Sequence, residues 1–396
     1  MALMNARPDQ PLPPLTPEQA EHSGRVAARL REALVAAGGW ISFADYLRIA
    51  LYAPGLGYYS AGAAKFGPSG DFITAPELSG LFAQCLAGQC ATLLAAPGSD
   101  VLELGAGSGR LAADLLLRLS QLRALPEHYY ILEVGASLRA QQQATIGTLP
   151  EALAQRVIWL ETLPSNPLRG VVIANEVADA LPFERFVSAE VGCLARGVAL
   201  ADNGALHSAD RPASEPLRQA YAQLTAQLGA PLPVGYCSEI SLLLAPWVTS
   251  LARVLERGAL LVFDYGLGAA ELYHPERNAG TLRCHYRHRA HDDPILFPGL
   301  QDITAWVDFS ALAEAGDRAG LDVAGYCTQA AFLLATGIET ELAGIHEPLA
   351  HAKAASQARQ LLLPGEMGEI FKVIALTRDW PQPLEGFRLQ DLRRLL

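Results

Sequence analysis

A short apolar run, Val101-Leu102-Glu103-Leu104, leads directly into Gly105-Ala106-Gly107-Ser108-Gly109. Glycine at alternate positions lets the backbone turn sharply and lie against a ligand with no Cβ in the way. The N–H groups that open the following helix can answer a carboxylate. Glu103, two residues before the first glycine, can answer a positive charge. A second apolar run ends at Glu133, with Val134 after it, and a carboxylate there is placed to accept both hydroxyls of a ribose. A fourth run ends at Asn175-Glu176, beside the same ligand, and Asp179 follows in the loop beyond it.

One ligand with a cationic sulfonium, an ammonium, a carboxylate and a ribose answers this set, namely S-adenosyl-L-methionine. The rival is a dinucleotide. Its turn reads G-x-G-x-x-G, which would put the last glycine where Arg110 stands. The spacing Gly105-x-Gly107-x-Gly109 with an acid two residues upstream favours S-adenosyl-L-methionine; a purely structural glycine turn is the third reading.

The elements that must position these residues follow a strand, turn, helix grammar from residue 100 onward. Apolar strands are predicted at Val101–Leu104, Tyr129–Glu133, Val157–Leu160, Gly170–Ala174, Ala259–Asp264, Val323–Tyr326 and Phe371–Leu376, with helices between them. Continuous apolar strands alternating with helices make a parallel sheet covered on both faces. The expected fold class is therefore α/β, a Rossmann-like seven-stranded sheet of the class I methyltransferase kind, with an N-terminal helical cap and two insertions. The cap, residues 16–96, opens on the capping box Thr16-Pro17-Glu18-Gln19 and has a second box at Ser42–Asp45. It continues through a glycine-rich loop from Tyr52 to Asp71 into a third helix running from Thr74 to about Ala95. Residues 97–182 form the first half of the ligand-binding core, 183–245 an acceptor-side insertion, and 246–396 the second half of the core. Within that second half, 267–308 is a His- and Arg-rich insertion.

The chain has 396 residues, 51% of them hydrophobic and 18% charged, with a formal net charge of -11. Such a composition supports a large core and excludes global disorder. The acidic balance argues against nucleic acid as the main partner, because phosphate binding needs concentrated Lys and Arg. No uninterrupted apolar run is long enough for a membrane span, and the first residues lack an apolar signal core. Six cysteines without a C-x-x-C pair read as free thiols in a reducing, bacterial cytoplasm.

Further segments carry a resemblance. Gly70-Asp71-Phe72-Ile73-Thr74-Ala75-Pro76-Glu77 and Asn175-Glu176-Val177-Ala178-Asp179-Ala180-Leu181-Pro182 are similar to two signatures of one family. So are Asp264-Tyr265-Gly266, Pro298-Gly299 with Asp302-Ile303-Thr304, Val307-Asp308-Phe309, Thr328-Gln329 with Phe332-Leu333-Leu334, and Met367-Gly368 with Phe371-Lys372-Val373. The family is the bacterial and mitochondrial group that includes the complex I assembly-factor protein arginine methyltransferase. Two departures are visible: Ala106 where proline often follows the first glycine, and Gly135 where serine is more usual. Neither removes a ligand group.

The resemblance implies S-adenosyl-L-methionine as methyl donor and, for the mitochondrial relatives, symmetric dimethylation of an arginine on a complex I subunit. An arginine acceptor stays protonated, so carboxylates must grip its planar fork and localise charge on one nitrogen. Glu176 and Asp179 are the natural pair; the other reading has Asp179 capping a helix and Glu176 alone facing the site. Phe72 and Thr74 are expected to fold over the cofactor, against the alternatives of a core ring and an N-cap. His285, with Tyr286, is a candidate for the acceptor pocket. The surrounding run of His288, His291, Arg283, Arg287 and Arg289 reads otherwise as a solvated loop, and no metal is expected. The partner expected is a protein client, such as a peripheral-arm subunit of complex I. The alternatives are a small-molecule N- or O-methyltransferase and a chaperone that binds the cofactor without turnover.

Overall fold

The computed structural model describes residues 12–60 and 74–396. Eight strands form the central sheet: the seven of its main path, β1 (Asp100–Leu104), β2 (Tyr129–Leu132), β3 (Val157–Leu160), β4 (Leu168–Asn175), β5 (Leu255–Leu267), β6 (Asp322–Thr328) and β7 (Phe371–Arg378), and the two-residue Val307–Asp308, which pairs in parallel with the end of β5. The order along the main path is β6-β7-β5-β4-β1-β2-β3. All pair in parallel except β7, which runs antiparallel to both β5 and β6. The expectation of an all-parallel sheet is corrected at this one strand. Direction cannot be read from an apolar run buried on both faces, because nothing in its side chains differs between the two pairings.

Alternate residues of each strand feed two apolar layers. Val171 and Ile173 of β4 pack with Leu81, Phe82, Leu115 and Leu116 on one face. Val172 and Ala174 pack with Val248, Leu251, Phe309 and Leu312 on the other. Helices Arg110–Gln121, Leu244–Val254 and Phe309–Arg318 present the matching stripes. The helix expected from Thr74 to Ala95 is instead two, Ala75–Leu78 and Gly80–Leu93. They break at Ser79, whose extended backbone lets its hydroxyl cap the second helix by accepting from the Leu81 N–H. A serine that can cap a new helix is the competing signal the continuous reading overlooked.

The segment grouped above as one cap, residues 16–96, divides between two cores. Gly80–Leu93 covers the central sheet. Helices Pro17–Ala36 and Phe43–Tyr52, each capped as its box predicts at Thr16 and Ser42, lie elsewhere. They pack through Val26, Leu30, Leu34, Tyr46 and Leu47 onto Phe183, Val198, Leu282, Cys284 and Ile303 from the two inserted segments. Strand Trp40–Ile41 even joins the insertion's sheet, pairing antiparallel with Val198 and Ala199. The His- and Arg-rich segment is no solvated loop: Arg283–Tyr286, Arg289–His291 and Asp302–Thr304 form a three-stranded sheet. Cys284, His285 and Tyr286 on its central strand are all buried. All six cysteines are buried and unpaired. Among the described residues, no helix is long and apolar enough to cross a membrane.

Candidate active site

Strand order reverses between β1 and β4, and a doubly wound sheet opens a crevice at such a point, beyond the carboxyl ends of its strands. A cavity of about 740 Å³ lies there. It is lined by Glu103, Gly105, Ala106 and Gly107 after β1, Glu133 and Val134 after β2, and Asn175, Glu176 and Asp179 after β4. Thr74, His285 and Asp302 complete its wall from other segments. Of the residues singled out in the sequence, Gly109 stands off the wall and Phe72 lies outside the described residues.

The glycine turn is built as its composition requires. Gly105, Gly107 and Gly109 take φ values of 60°, 53° and 83°, a region that costs a residue with Cβ. Gly109 has a packing reason of its own: a Cβ on it would come within 3.1 Å of Gln142 Cα. Gln142 escaped the sequence reading, although it is fully buried. Its Nε2 donates to Glu133 Oε2 at 3.0 Å and to Gly107 O at 3.2 Å, tying that carboxylate to the turn. Its Oε1 accepts from Trp159 Nε1 at 3.1 Å, which fixes the amide's orientation. Glu133 Oε1 accepts the Gly135 N–H at 2.7 Å, so both of its oxygens are aimed before any ligand arrives. A polar residue on the inner face of the helix after β2 was the available signal.

Glu103 is buried and accepts from the Tyr129 hydroxyl at 2.7 Å. Burial pushes its carboxyl up to about 7, with Tyr129 pulling the other way. Val134, by contrast, is 83% exposed at the mouth of the cavity, an apolar surface open to a flat ring. Thr74 begins the helix Ala75–Leu78 without its side chain capping it, and it is buried against the cavity.

The wall beyond β4 centres on a strained residue. Glu176 holds a left-handed backbone at φ 53°, with its N–H donating to Phe263 O at 2.8 Å. Left-handed backbone outside glycine costs on the order of 1–3 kcal/mol and collects at functional sites. Burial, then the charge of Asp179, pushes the Glu176 carboxyl up to about 8. Asp179 is buried; its Oδ2 accepts from the Tyr265 hydroxyl, while its Oδ1 has no hydrogen-bond partner among the described residues. Buried carboxylate oxygens are rarely left so unless a ligand or water answers them.

Asp264 shapes this loop without entering the cavity. It is fully buried, and its Oδ2 accepts the N–H groups of Ala178 and Asp179 at 3.0 and 3.2 Å. Its Oδ1 accepts the N–H of Tyr265 at 2.9 Å. The motif Asp264-Tyr265-Gly266 was visible in the sequence, but these buttressing roles for Asp264 and Tyr265 were not. His285 is buried beside the site; burial, then His291 and Arg283, lowers its pKa to about 4, so it is a neutral imidazole near pH 7.

Among the described residues, the wall carries Glu77, Glu103, Glu133, Glu176, Asp179 and Asp302 against one permanent cation, Arg48, which is paired with Asp45. That balance repels a dinucleotide's pyrophosphate and welcomes a ligand whose charged centres include a sulfonium and an ammonium. A glycine cradle, an aimed Glu133 and an unpartnered Asp179 oxygen fit S-adenosyl-L-methionine together with a cationic acceptor.

Comparison with known proteins gives the same answer. Residues 85–327 match the family model for S-adenosyl-L-methionine-dependent methyltransferases. A crystal structure from Burkholderia thailandensis bound to S-adenosyl-homocysteine superposes with a TM-score of 0.92 and is 44% identical, over 98% of this chain and 100% of that one. The mitochondrial protein arginine methyltransferase NDUFAF7 homolog of Drosophila melanogaster is 30% identical over 89% of this chain and 85% of its own. The zebrafish (Danio rerio) mitochondrial protein arginine methyltransferase NDUFAF7 is 29% identical over 86% of this chain and 84% of its own.

Proposed function

This chain belongs to the family of S-adenosyl-L-methionine-dependent methyltransferases, and from that premise we propose that it methylates an arginine side chain of a protein client. The observation that carries the reading is the unpartnered, buried Asp179 oxygen beside the strained Glu176, on the wall shared with the cofactor turn. Bound S-adenosyl-L-methionine supplies an electrophilic methyl group. Everything else falls to the protein: holding two molecules in line, excluding water and preparing a lone pair.

Glu133 takes the ribose, Glu103 the ammonium, and the N–H groups beyond Gly105 and Gly107 the carboxylate. Asn175 and Val134 border the same ligand, and Thr74 closes over it. Glu176 and Asp179 grip the acceptor guanidinium and draw its charge toward the nitrogens they bind, leaving the remaining nitrogen nucleophilic. Once that nitrogen is methylated, its surplus proton leaves through a carboxylate of this pair. His285, being neutral, adds no charge to repel the incoming cation; it hydrogen-bonds the acceptor. Buried free thiols and the bacterial structural relative support a cytoplasmic enzyme, and the printed activity of the mitochondrial relatives supports arginine.

The client we propose is a peripheral-arm subunit of respiratory complex I. Mass spectrometry of those subunits from cells with and without the gene tests it. A methylarginine present only with the gene is the expected result, and identical spectra would sink the client assignment.

Cofactor binding should also move a proton. Glu103, with its pKa raised to about 7, is largely protonated at pH 6, and an ammonium beside it forces ionisation. Calorimetric titration with S-adenosyl-homocysteine at pH 6 should therefore show an enthalpy that depends on the buffer's own ionisation heat, and affinity should fall below pH 7. The same raised pKa works against the folded apo-protein as pH climbs from the unfolded glutamate's range near 4.3 to about 7. Buffer-independent enthalpy would place the ammonium elsewhere.

A further inference from the structure

The helix Ala136–Ile146, which follows β2, buries two of its residues, Gln142 and Ile146. Gln142 has no exposed surface, and an amide in such a place costs free energy unless its polar ends are answered. A leucine would fill the site without that cost. Three hydrogen bonds converge on the amide instead. Trp159, on β3, donates its Nε1–H to Gln142 Oε1 at 3.1 Å. With the oxygen so engaged, the amino group has to face Glu133 Oε2 at 3.0 Å and Gly107 O at 3.2 Å. A flipped amide would set oxygen against oxygen on one side and donor against donor on the other.

The glycine turn has a further tether from the same helix. Thr145, three residues on, donates its hydroxyl to Ser108 O at 2.7 Å. On the carboxylate, Gly135 and Gln142 each hold a different oxygen: the Gly135 N–H reaches Oε1 at 2.7 Å, and Gln142 reaches Oε2. A carboxylate held at one oxygen still turns about its last torsion, which is broad and two-fold. Held at both, its plane is fixed. Each oxygen has two lone pairs, so one protein donor on each leaves one lone pair on each for a ligand. The adjacent hydroxyls of a ribose match that pair.

We infer that Gln142, locked by Trp159, is a positioning residue that acts through Glu133, setting the plane of its carboxylate so that the site selects a cofactor carrying both ribose hydroxyls. This rests on the ribose contact proposed for Glu133 above.

The test is calorimetry on the full chain with two probes, S-adenosyl-homocysteine and its 2′,3′-dideoxy counterpart. The wild type should bind the first more tightly, and Glu133→Ala should erase most of that preference. Gln142→Met keeps the length and bulk of the side chain but offers no N–H. It should raise Kd for S-adenosyl-homocysteine about tenfold, the order for losing a charge-assisted hydrogen bond, and leave Kd for the dideoxy probe within about twofold. Gln142→Glu keeps an oxygen for Trp159 and decides the matter if Gln142→Met does not fold. While its carboxyl is protonated it donates to Glu133 as the amide does; once ionised, it repels that carboxylate. Its Kd for S-adenosyl-homocysteine, as a ratio to the wild type's at the same pH, should therefore climb as pH rises. Wild-type affinity for S-adenosyl-homocysteine in Gln142→Met overturns the inference and leaves the ribose contact standing. So does a loss shared equally by both probes, or a ratio for Gln142→Glu that is raised but flat across pH, since each marks a packing role. A preference for S-adenosyl-homocysteine that survives Glu133→Ala overturns the ribose contact, and this inference with it.

Discussion

Glu176→Gln is expected to cut methylation of an arginine peptide by at least about a hundredfold, the order lost with one preorganised electrostatic group. The substitution keeps the side chain's length and its place at the end of β4 but removes the charge that draws the guanidinium's positive charge toward it. The residue's left-handed backbone is as accessible to glutamine as to glutamate, so the loop braced by Asp264 should stay in place. Affinity for S-adenosyl-homocysteine should change by less than about threefold, under 1 kcal/mol, because Glu103 and Glu133 remain. Equilibrium dialysis beside a single-turnover assay separates the two quantities. Full turnover in Glu176→Gln would refute the acceptor role. In cells, complex I assembly that persists without any methylarginine would favour a cofactor-binding chaperone over an enzyme.

Glu133→Ala should act on the other substrate. Removing it takes two aimed oxygens from the ribose, and losing charge-assisted hydrogen bonds costs about 1.5–3 kcal/mol, or about ten- to 150-fold in Kd. Because Gln142 and the Gly135 N–H point at this carboxylate, alanine also leaves their donors facing the cavity, which places the effect toward the upper end. At saturating cofactor, kcat should recover, since nothing on the acceptor side has moved. Calorimetry that returns an unchanged Kd would place the ribose elsewhere.

How far these roles were legible in the sequence depended on whether the physics was local. The places of the glycine turn, Glu103 and Glu133 on the cavity wall were readable because they follow from a few neighbouring residues: a strand end, a turn that only glycine can make, an acid at fixed distance. The helix starts at Thr16 and Ser42 were readable for the same reason, a cap being a contact between residues three apart. What escaped was set at long range. Asp264 matters because its oxygens meet N–H groups 85 and 86 residues away. Gln142 matters because it lies under Gly107, and Tyr59 because it meets Asp302, 243 residues on. The basic run around His285 read as a surface loop since charge dominates its composition. Three consecutive residues of its central strand, Cys284, His285 and Tyr286, are nonetheless buried once a sheet forms, and Cys284 joins the core shared with the first two helices.

That shared core sets a clock on synthesis. Val26, Leu30, Tyr46 and Leu47 leave the ribosome about 250 residues ahead of their partners Leu282, Cys284, Ile303 and Ala305. At about 5–20 residues per second, some 250 residues take on the order of 10–50 s. For that interval the apolar faces of both helices lack the surface that finally covers them, while β1 to β4 and their helices are already available to pair. The cofactor crevice therefore takes shape ahead of its roof. The part of the cavity wall that needs Asp302 and His285 as well as Tyr52 and Tyr59 cannot form until the second inserted segment has been made. A nascent chain can meet its cofactor long before it can meet its client.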